Sequence, residues 1–458
     1  MSEAKPASGK LSLATIMAFS APAFPIGALG IAVAVYLPPY FATHLGVSLG
    51  AVGAAWATVR LLDIMVDPAL GLMMDRTRTK LGRYRLWMIL GAPILMIATY
   101  ALFLAPNGIG SFYLIGWLLV LYLGISILTL GHSAWGATLS TEYHERSRVF
   151  GVLAAVGVIG AVLVLVFPII AGNLGRTAAQ GVQDMGWFVI LSTPIAVALC
   201  TFRTPETIRL DLGHEQFRMR DYWSLLAKPD LMRLYLAQVA LTLGPGWMSA
   251  LYVFYFTDAL GYSPAVASGL LLLYVLAGIV GAPLTARLAQ RIGKHRTLMV
   301  TTTAYSLGLC TLLLVPYGNV VAGMPTMFWC GFMASGFDLM IRAMLADVAD
   351  EVRLEQGKER LSLIYALNTL AAKIAAAFAI GLTFPLLARL GYVAKEGVKN
   401  SPEAILRLQW VYIAGPIFFV MLGGACVIGW KLDEARHTAI RDELARRDAA
   451  EDAAVAGA

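Results

Sequence analysis

The chain has 458 residues, of which 59% are hydrophobic and 14% are charged, and its mean hydropathy is +0.71. So much apolar side chain exceeds what the core of a water-soluble protein of this length can bury. The formal net charge is +7, but the basic residues cluster at the ends of apolar runs, which argues against the continuous basic face of a nucleic-acid-binding protein. Composition therefore predicts a helical protein that crosses a membrane many times.

Twelve apolar runs follow one another along the chain, most of them near the 20 or so residues that a helix needs to cross about 30 Å of hydrocarbon. The predicted helices cover residues 12–42, 48–74, 86–105, 111–141, 149–172, 185–203, 232–257, 264–290, 297–316, 325–348, 361–388 and 406–431. The first run is too long for the hydrophobic region of a cleaved signal peptide, so we expect it to be retained. The four cysteines lie in predicted spans without metal-binding spacing, so neither a disulfide framework nor a zinc site is expected.

The charges of the connections predict the orientation. Residues 75–85 carry five basic side chains and one acid, and residues 287–296 carry four basic side chains and no acid. The connections 105–112 and 316–324, on the other side, carry no charge. By the positive-inside rule both termini are cytoplasmic, as in a bacterial-type inner-membrane protein. One connection, 389–407, is an exception, since it is predicted outside and holds four basic residues against two acids.

The two halves of the chain echo each other. LGRYRLWMI (81–89) follows the second predicted helix and IGKHRTLMV (292–300) follows the eighth, each as a glycine, a basic residue, a ring and an arginine leading into the next span. Two six-helix halves are typical of transporters. We therefore predict an all-α membrane protein with the major facilitator fold. Its predicted parts are an N-terminal six-helix bundle (1–203), a cytoplasmic central loop (204–231), a C-terminal six-helix bundle (232–431) and a cytoplasmic tail (432–458) whose alternating charges predict a solvated helix.

Three charged residues interrupt the second apolar run. Arg60, Asp63 and Asp67 are spaced i, i+3 and i+7, which places them on one stripe of a helix. Charge at bilayer depth costs at least about 2.5 kcal/mol per residue and usually faces a bundle interior or a wet cavity. Asp63 and Lys373 of the eleventh helix both lie roughly 18 Å from the cytoplasmic ends of their helices. We expect them to meet near the midplane; the alternative is an ion pair that only locks the halves together.

Asp338 and Arg342 form a second candidate pair, at i and i+4 on the tenth helix. Asp338 is the deeper of the two and is expected to line the cavity. Arg342 either lines the cavity or reaches the cytoplasmic surface. Pro68, directly after Asp67, removes a backbone hydrogen bond and marks either a bend beside the acids or an ordinary membrane proline.

Five segments carry a family resemblance. They are RLLDIMVDP (60–68), GLMMDRTRTKLGRYRLWMILG (71–91), GHSAWGATLSTEYHERSR (131–148), MLADVADEVRLEQGKERLS (344–362) and NTLAAKIAAAF (368–378). In order and over nearly the whole chain, the sequence resembles the glycoside-pentoside-hexuronide:cation symporters, the melibiose permease group of the major facilitator superfamily. The resemblance implies cation-coupled symport of a glycoside or related sugar by alternating access.

The resemblance also assigns roles to residues. It implies that Asp63 and Asp67 bind the coupling cation, that Arg60 is their charge partner and that Lys373 links the cation and sugar sites. Thr369 falls at a sugar-side threonine of the family and Trp135 at a tryptophan that stacks on the sugar ring. The candidate substrate-binding residues are Lys373, Thr369, Trp135, Asn368, His132, Asp338 and Arg342. For His132, cavity lining or packing is favoured over catalysis.

At four positions the sequence lacks an oxygen-bearing side chain that the family pattern has. The third family aspartate aligns with Gly131, a sodium-ligand asparagine with Val66, a sodium-site threonine with Leu128, and the helix 1 aspartate that grips galactosides with Gly27. Sodium needs several oxygen ligands, whereas a proton needs one suitable carboxylate. We therefore expect H⁺ as the coupling ion before Na⁺. Asp338 aligns with a family tryptophan near the sugar, so the substrate is not expected to be melibiose.

Other functions stay open at this point. The charges of Arg60, Asp63, Asp67 and Lys373 sum to zero, which leaves uncoupled facilitated transport open. Transport of a lipid-like solute by a protein with the same fold is a further alternative. A receptor-like scaffold would keep the fold with dispensable midplane charges. A membrane enzyme is remote, because GHSAWG lacks the spacing of a nucleophile elbow and no nucleotide-binding motif is present. No cofactor is expected, and the expected partners are a small sugar and the lipid bilayer, with the monomer as the functional unit.

Overall fold

The structure is a computed structural model that describes residues 11–139, 143–206, 219–357 and 360–456. In these residues it consists of helices, turns and loops, without a strand. The α-helices are α1 (Leu13–Ser20), α2 (Ala23–Ile31), α3 (Leu37–Thr43), α4 (Leu49–Arg76), α5 (Tyr84–Phe103), α6 (Ser111–Leu139), α7 (Tyr143–Val164), α8 (Val166–Asn173), α9 (Ala178–Arg203), α10 (Met219–Leu226), α11 (Pro229–Phe254), α12 (Pro264–Ile292), α13 (Lys294–Cys310), α14 (Val320–Gln356), α15 (Leu361–Arg389), α16 (Pro402–Ala425) and α17 (Glu434–Ala456).

Twelve helical stretches in the described residues are long and apolar enough to cross a membrane, which confirms the twelve predicted spans. The first of them, Leu13–Thr43, is built from α1, α2, a π-helical turn (Ala32–Tyr36) and α3. The helix breaks near Pro22, which cannot donate a backbone hydrogen bond. A second π-helical turn, Tyr255–Ala259, extends the span that α11 begins. Proline-containing spans thus keep enough helical hydrogen bonding to be viable in hydrocarbon.

The chain divides into two compact units. The first comprises Met1–His214 with Ala394–Val398, and the second comprises Glu215–Val393 with Lys399–Ala458. The division falls inside the predicted central loop, 204–231, and this loop also contains the short helix α10.

The same pairs of spans pack together inside each unit. In the first unit α2 packs on α7, α4 and α5 pack on α6, and α5 packs on α9. In the second unit the corresponding pairs are α11 with α15, α12 and α13 with α14, and α13 with α16. This agreement extends the nine-residue sequence echo to the packing of six helices in each unit.

Glycines bring several of these helices into close contact. A Cβ on Gly27 of α2 would lie 2.0 Å from the carbonyl oxygen of Gly157 on α7. In the second unit, a Cβ on Gly331 of α14 would lie 2.0 Å from the carbonyl oxygen of Tyr274 on α12. Small residues let membrane helices approach until their backbones touch, which strengthens van der Waals packing where no hydrophobic effect drives association. Any side chain at these positions would push the helices apart.

Helix α14 extends to Gln356, beyond the predicted end at residue 348. Ion pairs hold this end of the helix on both sides of residue 348. Lys294 at the start of α13 lies 2.7 Å from Oδ1 of Asp347, and Lys228 before α11 lies 3.2 Å from Oε2 of Glu351. The hydropathy pattern ends where these charges begin, so it marks the edge of the apolar span and not the end of the helix.

The C-terminal helix α17, predicted as a solvated helix, also makes ion pairs and hydrogen bonds with α14. Arg436 donates a hydrogen bond of 2.8 Å to Glu351, and Arg353 donates one of 2.8 Å to Asp448. Nε2 of His437 lies 3.0 Å from Asp350. The charges at i, i+4 spacing therefore serve contacts with α14 as well as pairs within the helix.

The connection that departed from the positive-inside rule, 389–407, is held by local hydrogen bonds. Arg407 donates a hydrogen bond of 3.0 Å to the carbonyl oxygen of Leu390, and the side chain of Asn400 bonds both backbone groups of Val393. Tyr392 donates a hydrogen bond to Asp258. Burial, and then the negative charge of Asp258, raises the pKa of Tyr392.

In the first unit, Glu206 caps the start of α5. Its carboxylate accepts hydrogen bonds of 2.7, 2.7 and 3.3 Å from the backbone N–H groups of Arg83, Tyr84 and Arg85. These are the donors that a helix start leaves unsatisfied, and a negative charge there is also favoured by the helix dipole. A Cβ on Gly82 would lie 2.1 Å from Oε2 of Glu206, and the φ of Gly82 is +111°. The turn therefore requires glycine for two reasons.

We expect Gly82→Ala to lower the thermal unfolding midpoint of the purified protein more than Gly108→Ala does. Both glycines have positive φ, but a Cβ on Gly108 would meet open space, so this variant isolates the cost of backbone strain. Gly82→Ala should lose about 1 to 3 kcal/mol more of the free energy of unfolding, because its Cβ displaces the Glu206 carboxylate from the backbone N–H groups. Equal losses for the two variants would show that the cap contributes nothing.

Candidate functional site

The charged stripe of α4 packs against α6. The side chain of Asp63 is 5% exposed and that of Ser126 is 4% exposed, and Ser126 donates a hydrogen bond of 2.9 Å to Oδ1 of Asp63. The guanidinium of Arg60 lies over the ring of Tyr122, 4.2 Å from its centroid. The stripe is therefore covered by protein on this side, as expected for charge at bilayer depth.

Two residues of this arrangement, Tyr122 and Ser126, are absent from the sequence-based set of candidates. They are spaced i, i+4 on α6, so they lie on one face about one turn apart, as Arg60 and Asp63 do at i, i+3 on α4. The face of an aromatic ring attracts a guanidinium, and a hydroxyl stabilises a buried carboxylate. Two polar groups one turn apart in an otherwise apolar run are the signal that could have found them.

Asp67 lies one turn beyond Asp63 and is half-buried. Helix α4 continues through Pro68 as far as Arg76, and Pro68 itself is exposed. The helix absorbs the missing hydrogen bond of the proline without ending. The two acids thus stay on one continuous helix, spaced by one turn.

Apolar packing fills the positions at which the sequence departs from the family pattern. Val66 packs against a cluster of Leu70, Met74 and Ile127. Leu128 is 1% exposed, and its side chain reaches within 3.0 Å of where a Cβ on Gly91 would stand. These two positions contribute no oxygen ligand.

The other two departures are glycines in different surroundings. A Cβ on Gly131 would make only ordinary contacts, the nearest being 3.8 Å from the sulfur of Met88. Gly27 has no space for a side chain, because it forms the close contact of α2 with Gly157 of α7. The residues described contain no group of three or more His, Cys, Asp or Glu side chains that could hold a metal ion.

His132 and Trp135, expected on the substrate side, are both buried inside the first unit. Nε2 of His132 lies 2.6 Å from the carbonyl oxygen of Phe19, and its ring packs on the ring of Phe19. Trp135 is 0% exposed and donates a hydrogen bond of 3.2 Å to the carbonyl oxygen of Pro205. In this structure these contacts give both side chains a packing role, and the face of Trp135 is not open to a sugar.

In the second unit, Lys373 and Thr369 lie one turn apart on α15. Lys373 is half-buried and Thr369 is exposed, while Asn368 is buried on another face of the helix. The hydroxyl of Thr369 donates a hydrogen bond of 3.0 Å to the carbonyl oxygen of Tyr365. Oδ1 of Asn368 receives no hydrogen bond from the described residues. Thr369 and Lys373 therefore share an accessible stripe, whereas Asn368 belongs to the packing.

Asp338 and Arg342 form the predicted pair on α14. Nε of Arg342 lies 2.5 Å from Oδ2 of Asp338, and their side chains are 62% and 57% exposed respectively. Tyr365 of α15 donates a hydrogen bond of 2.9 Å to the carbonyl oxygen of Arg342. The pair and the Thr369 side of α15 are thus linked through Tyr365, a third residue that the sequence-based set lacks.

Comparison with known proteins identifies the family. Residues 18–434 match the family described as MFS/sugar transport protein. The chain belongs to this family, and with its twelve apolar spans it is a multi-pass membrane transporter of the major facilitator type. Membership of a transport family favours the transporter over the membrane enzyme.

Similar proteins support the same assignment. The chain is 23% identical over 456 residues to the "Uncharacterized symporter YnaJ" of Bacillus subtilis (strain 168), with 96% of each chain covered. It is 22% identical to the "Isoprimeverose transporter" of Lactiplantibacillus pentosus, covering 92% of this chain and 89% of that protein. Among solved structures, the nucleoside transporter NupG has a TM-score of 0.65 at 12% identity, covering 92% of this chain and 100% of that one. At this identity the structural likeness shows the fold alone.

We expect Ser126→Ala to lower transport by about tenfold, because the buried carboxylate of Asp63 loses a hydrogen bond to a charged group, worth about 1.5 kcal/mol or more. Ser126→Thr keeps the hydroxyl and is expected to retain most of the activity. Uptake into proteoliposomes at equal protein content checks this.

Thr129→Ala is the matched control for Ser126→Ala. Thr129 lies on the same helix, and its hydroxyl bonds the carbonyl oxygen of Ile125 within that helix. Thr129→Ala is expected to transport at the wild-type rate. Undiminished transport by Ser126→Ala, or an equal loss in Thr129→Ala, would contradict a specific role for the Ser126 hydroxyl.

Proposed function

We propose that this transporter couples the uptake of a glycoside or related sugar to the entry of protons, by alternating access. Asp63 and Asp67 are the proposed cation-coupling residues, with Arg60 as their charge partner. The observation that carries the proposal is the buried contact of Asp63 with Ser126 beside an arginine held on Tyr122. It keeps an ionisable group inside a membrane span, where such groups usually serve transport.

The proposed cargo rests on the family and on named relatives. The family is described as an MFS/sugar transport family, and one relative is named an isoprimeverose transporter. Thr369, Lys373 and Asp338 supply exposed or half-buried polar groups on α14 and α15 of the second unit. Hydroxyl-rich ligands are oriented by a few such groups on an otherwise apolar wall. Trp135, by contrast, contributes to the proposed site only if it leaves its buried position.

The proton is favoured over Na⁺ because oxygen ligands are lacking where the family pattern has them. Val66 and Leu128 pack in apolar surroundings, and Gly131 has no side chain. Na⁺ would lose its hydration shell there without replacement ligands. A proton needs only a carboxylate, which Asp63 and Asp67 provide.

Protonating one of the two acids would leave Lys373 or Arg60 without its full negative counter-charge. We expect this charge imbalance to drive the rearrangement of the transporter.

Lys373 is the proposed link between cation and substrate. Its meeting with Asp63 stays a prediction, as do the inner-membrane location, the cytoplasmic termini and the monomeric state. The loop charges support the orientation, since residues 75–85 and 287–296 carry nine basic residues and one acid between them (five plus four, against one).

Uncoupled facilitated transport is the second candidate, and charge balance favours it. Arg60 and Lys373 together offset Asp63 and Asp67, and Arg342 is paired with Asp338. The candidate residues thus lack the surplus of negative charge that would attract a cation. A transporter of a lipid-like solute with the same fold would also need no surplus of negative charge.

Purified protein in liposomes, tested with labelled glycosides, pentosides and uronides under separate proton and sodium gradients, decides among these functions. We expect accumulation of at least one sugar under the proton gradient. Asp67→Asn and Lys373→Val should lose accumulation while keeping the wild-type unfolding temperature. Accumulation driven only by sodium would overturn proton coupling, equilibration without accumulation would favour the facilitator, and full activity of Asp67→Asn would remove Asp67 from the coupling site.

We expect Asp338→Asn to raise the KM for the sugar severalfold without changing stability. An exposed i, i+4 pair stabilises a helix by only about 0.5 kcal/mol, so the unfolding temperature should hardly change. Glu403→Gln is the matched control, because Glu403 forms an exposed i, i+4 pair with Arg407 on α16. An unchanged KM in Asp338→Asn would place the pair outside the substrate site.

A further inference from the structure

A lateral groove of about 830 Å³ opens on the first unit, between α1, the start of α2, α7 and α9. Small side chains form much of its lining, namely Ala14, Ala18, Ala21 and Ala196. Ile195 (64% exposed) and Leu199 (46% exposed) form an apolar rim on α9. The residues belong to spans that cross the membrane, so hydrocarbon, not water, is the medium that such an apolar surface meets.

The length of the groove matches one leaflet of a bilayer. On α9 it runs from Ser192 to Arg203, and the eleven steps between these residues span about 16 Å at the helical rise. Half of the hydrocarbon thickness of a bilayer is about 15 Å. On the facing helices it runs from Phe24 to Ser12, in the same direction. The groove therefore extends from a membrane surface towards the midplane, which is the path of an acyl chain.

A cation stands at the surface end. Arg203 is the last residue of α9, it is exposed, and within the described part of the chain no hydrogen bond or ion pair holds its side chain. The neighbouring Arg148 is different, because it is bonded to Glu145 and to the carbonyl oxygen of Leu11. The hydroxyls of Ser12 and Thr15, which hydrogen-bond each other at 2.8 Å, lie at the same end of the groove. This end thus offers one available positive charge.

We propose that the groove binds an anionic phospholipid, with one acyl chain along the alanine-lined floor and the phosphate held by Arg203. A guanidinium matches the geometry of phosphate oxygens and forms charge-assisted hydrogen bonds with them. An anionic headgroup is preferred to a zwitterionic one, because the latter brings its own positive charge to Arg203. On the predicted topology this end faces the cytoplasmic leaflet, whose anionic lipids attract basic side chains. The site is separate from Asp63 and Asp67 and does not depend on the proposed transport function.

Retention of lipid by the purified full chain tests the proposal. The protein is incubated with equal amounts of phosphatidylglycerol and phosphatidylcholine, repurified, and its bound lipid counted by native mass spectrometry. We expect phosphatidylglycerol to exceed phosphatidylcholine by about fivefold, the ratio that one arginine near a membrane surface gives. Arg203→Gln should bring this ratio to about one, and Ala14→Trp, which fills the groove from an exposed position, should reduce the retention of both lipids.

Arg76→Gln is the matched control. Arg76 is an exposed arginine in the last turn of α4 and does not line the groove. It should keep the wild-type ratio, and Arg203→Lys, which keeps the charge, should keep most of it. Equal retention of the two lipids by the wild type, an unchanged ratio in Arg203→Gln, or an equal fall of the ratio in Arg76→Gln would each overturn the proposal.

Discussion

The contact between Asp63 and Ser126 is the interaction on which the candidate site depends. A carboxylate inside a membrane span is tolerated only when other groups replace water around it, and here a hydroxyl from α6 does so at 2.9 Å. Arg60, one turn away from Asp63 on α4, lies over the ring of Tyr122 on α6. Through these two contacts α6 holds the charged stripe of α4 in place.

The scaffold around this contact is repeated. Each unit pairs its first span with its fifth, its second and third with its fourth, and its third with its sixth. Glycines at the closest contacts, such as Gly27 and Gly331, let the backbones touch, which is the main source of cohesion between helices in lipid. At the ends of spans, charged groups take over: Glu206 caps α5 in the first unit, and Asp347 pairs with Lys294 in the second. Apolar packing thus stabilises both units between the helices, and charged groups stabilise them at the ends of the spans.

Packing also accounts for two positions at which the sequence lacks an oxygen-bearing side chain of the family pattern. Val66 and Leu128 stand where oxygen ligands are expected, and both are integrated into apolar contacts between α4, α5 and α6. Replacing such ligands by hydrophobic side chains removes the cost of desolvating polar groups and at the same time removes a coordination site. In the second unit, Tyr365 links Thr369 of α15 to the exposed pair of Asp338 and Arg342 on α14.

The sequence alone determined the twelve spans, the two halves and the family, because hydrophobic runs of fixed length and their flanking charges are local properties that lipid imposes. It also placed Arg60 and Asp63 on one stripe, since helix geometry fixes which residues share a face. Only the tertiary structure decided that Ser126 and Tyr122 receive this stripe, that Trp135 and His132 are buried, and that α17 docks on α14. These outcomes depend on which helices become neighbours, and contacts between residues distant in sequence leave no periodic pattern along the chain.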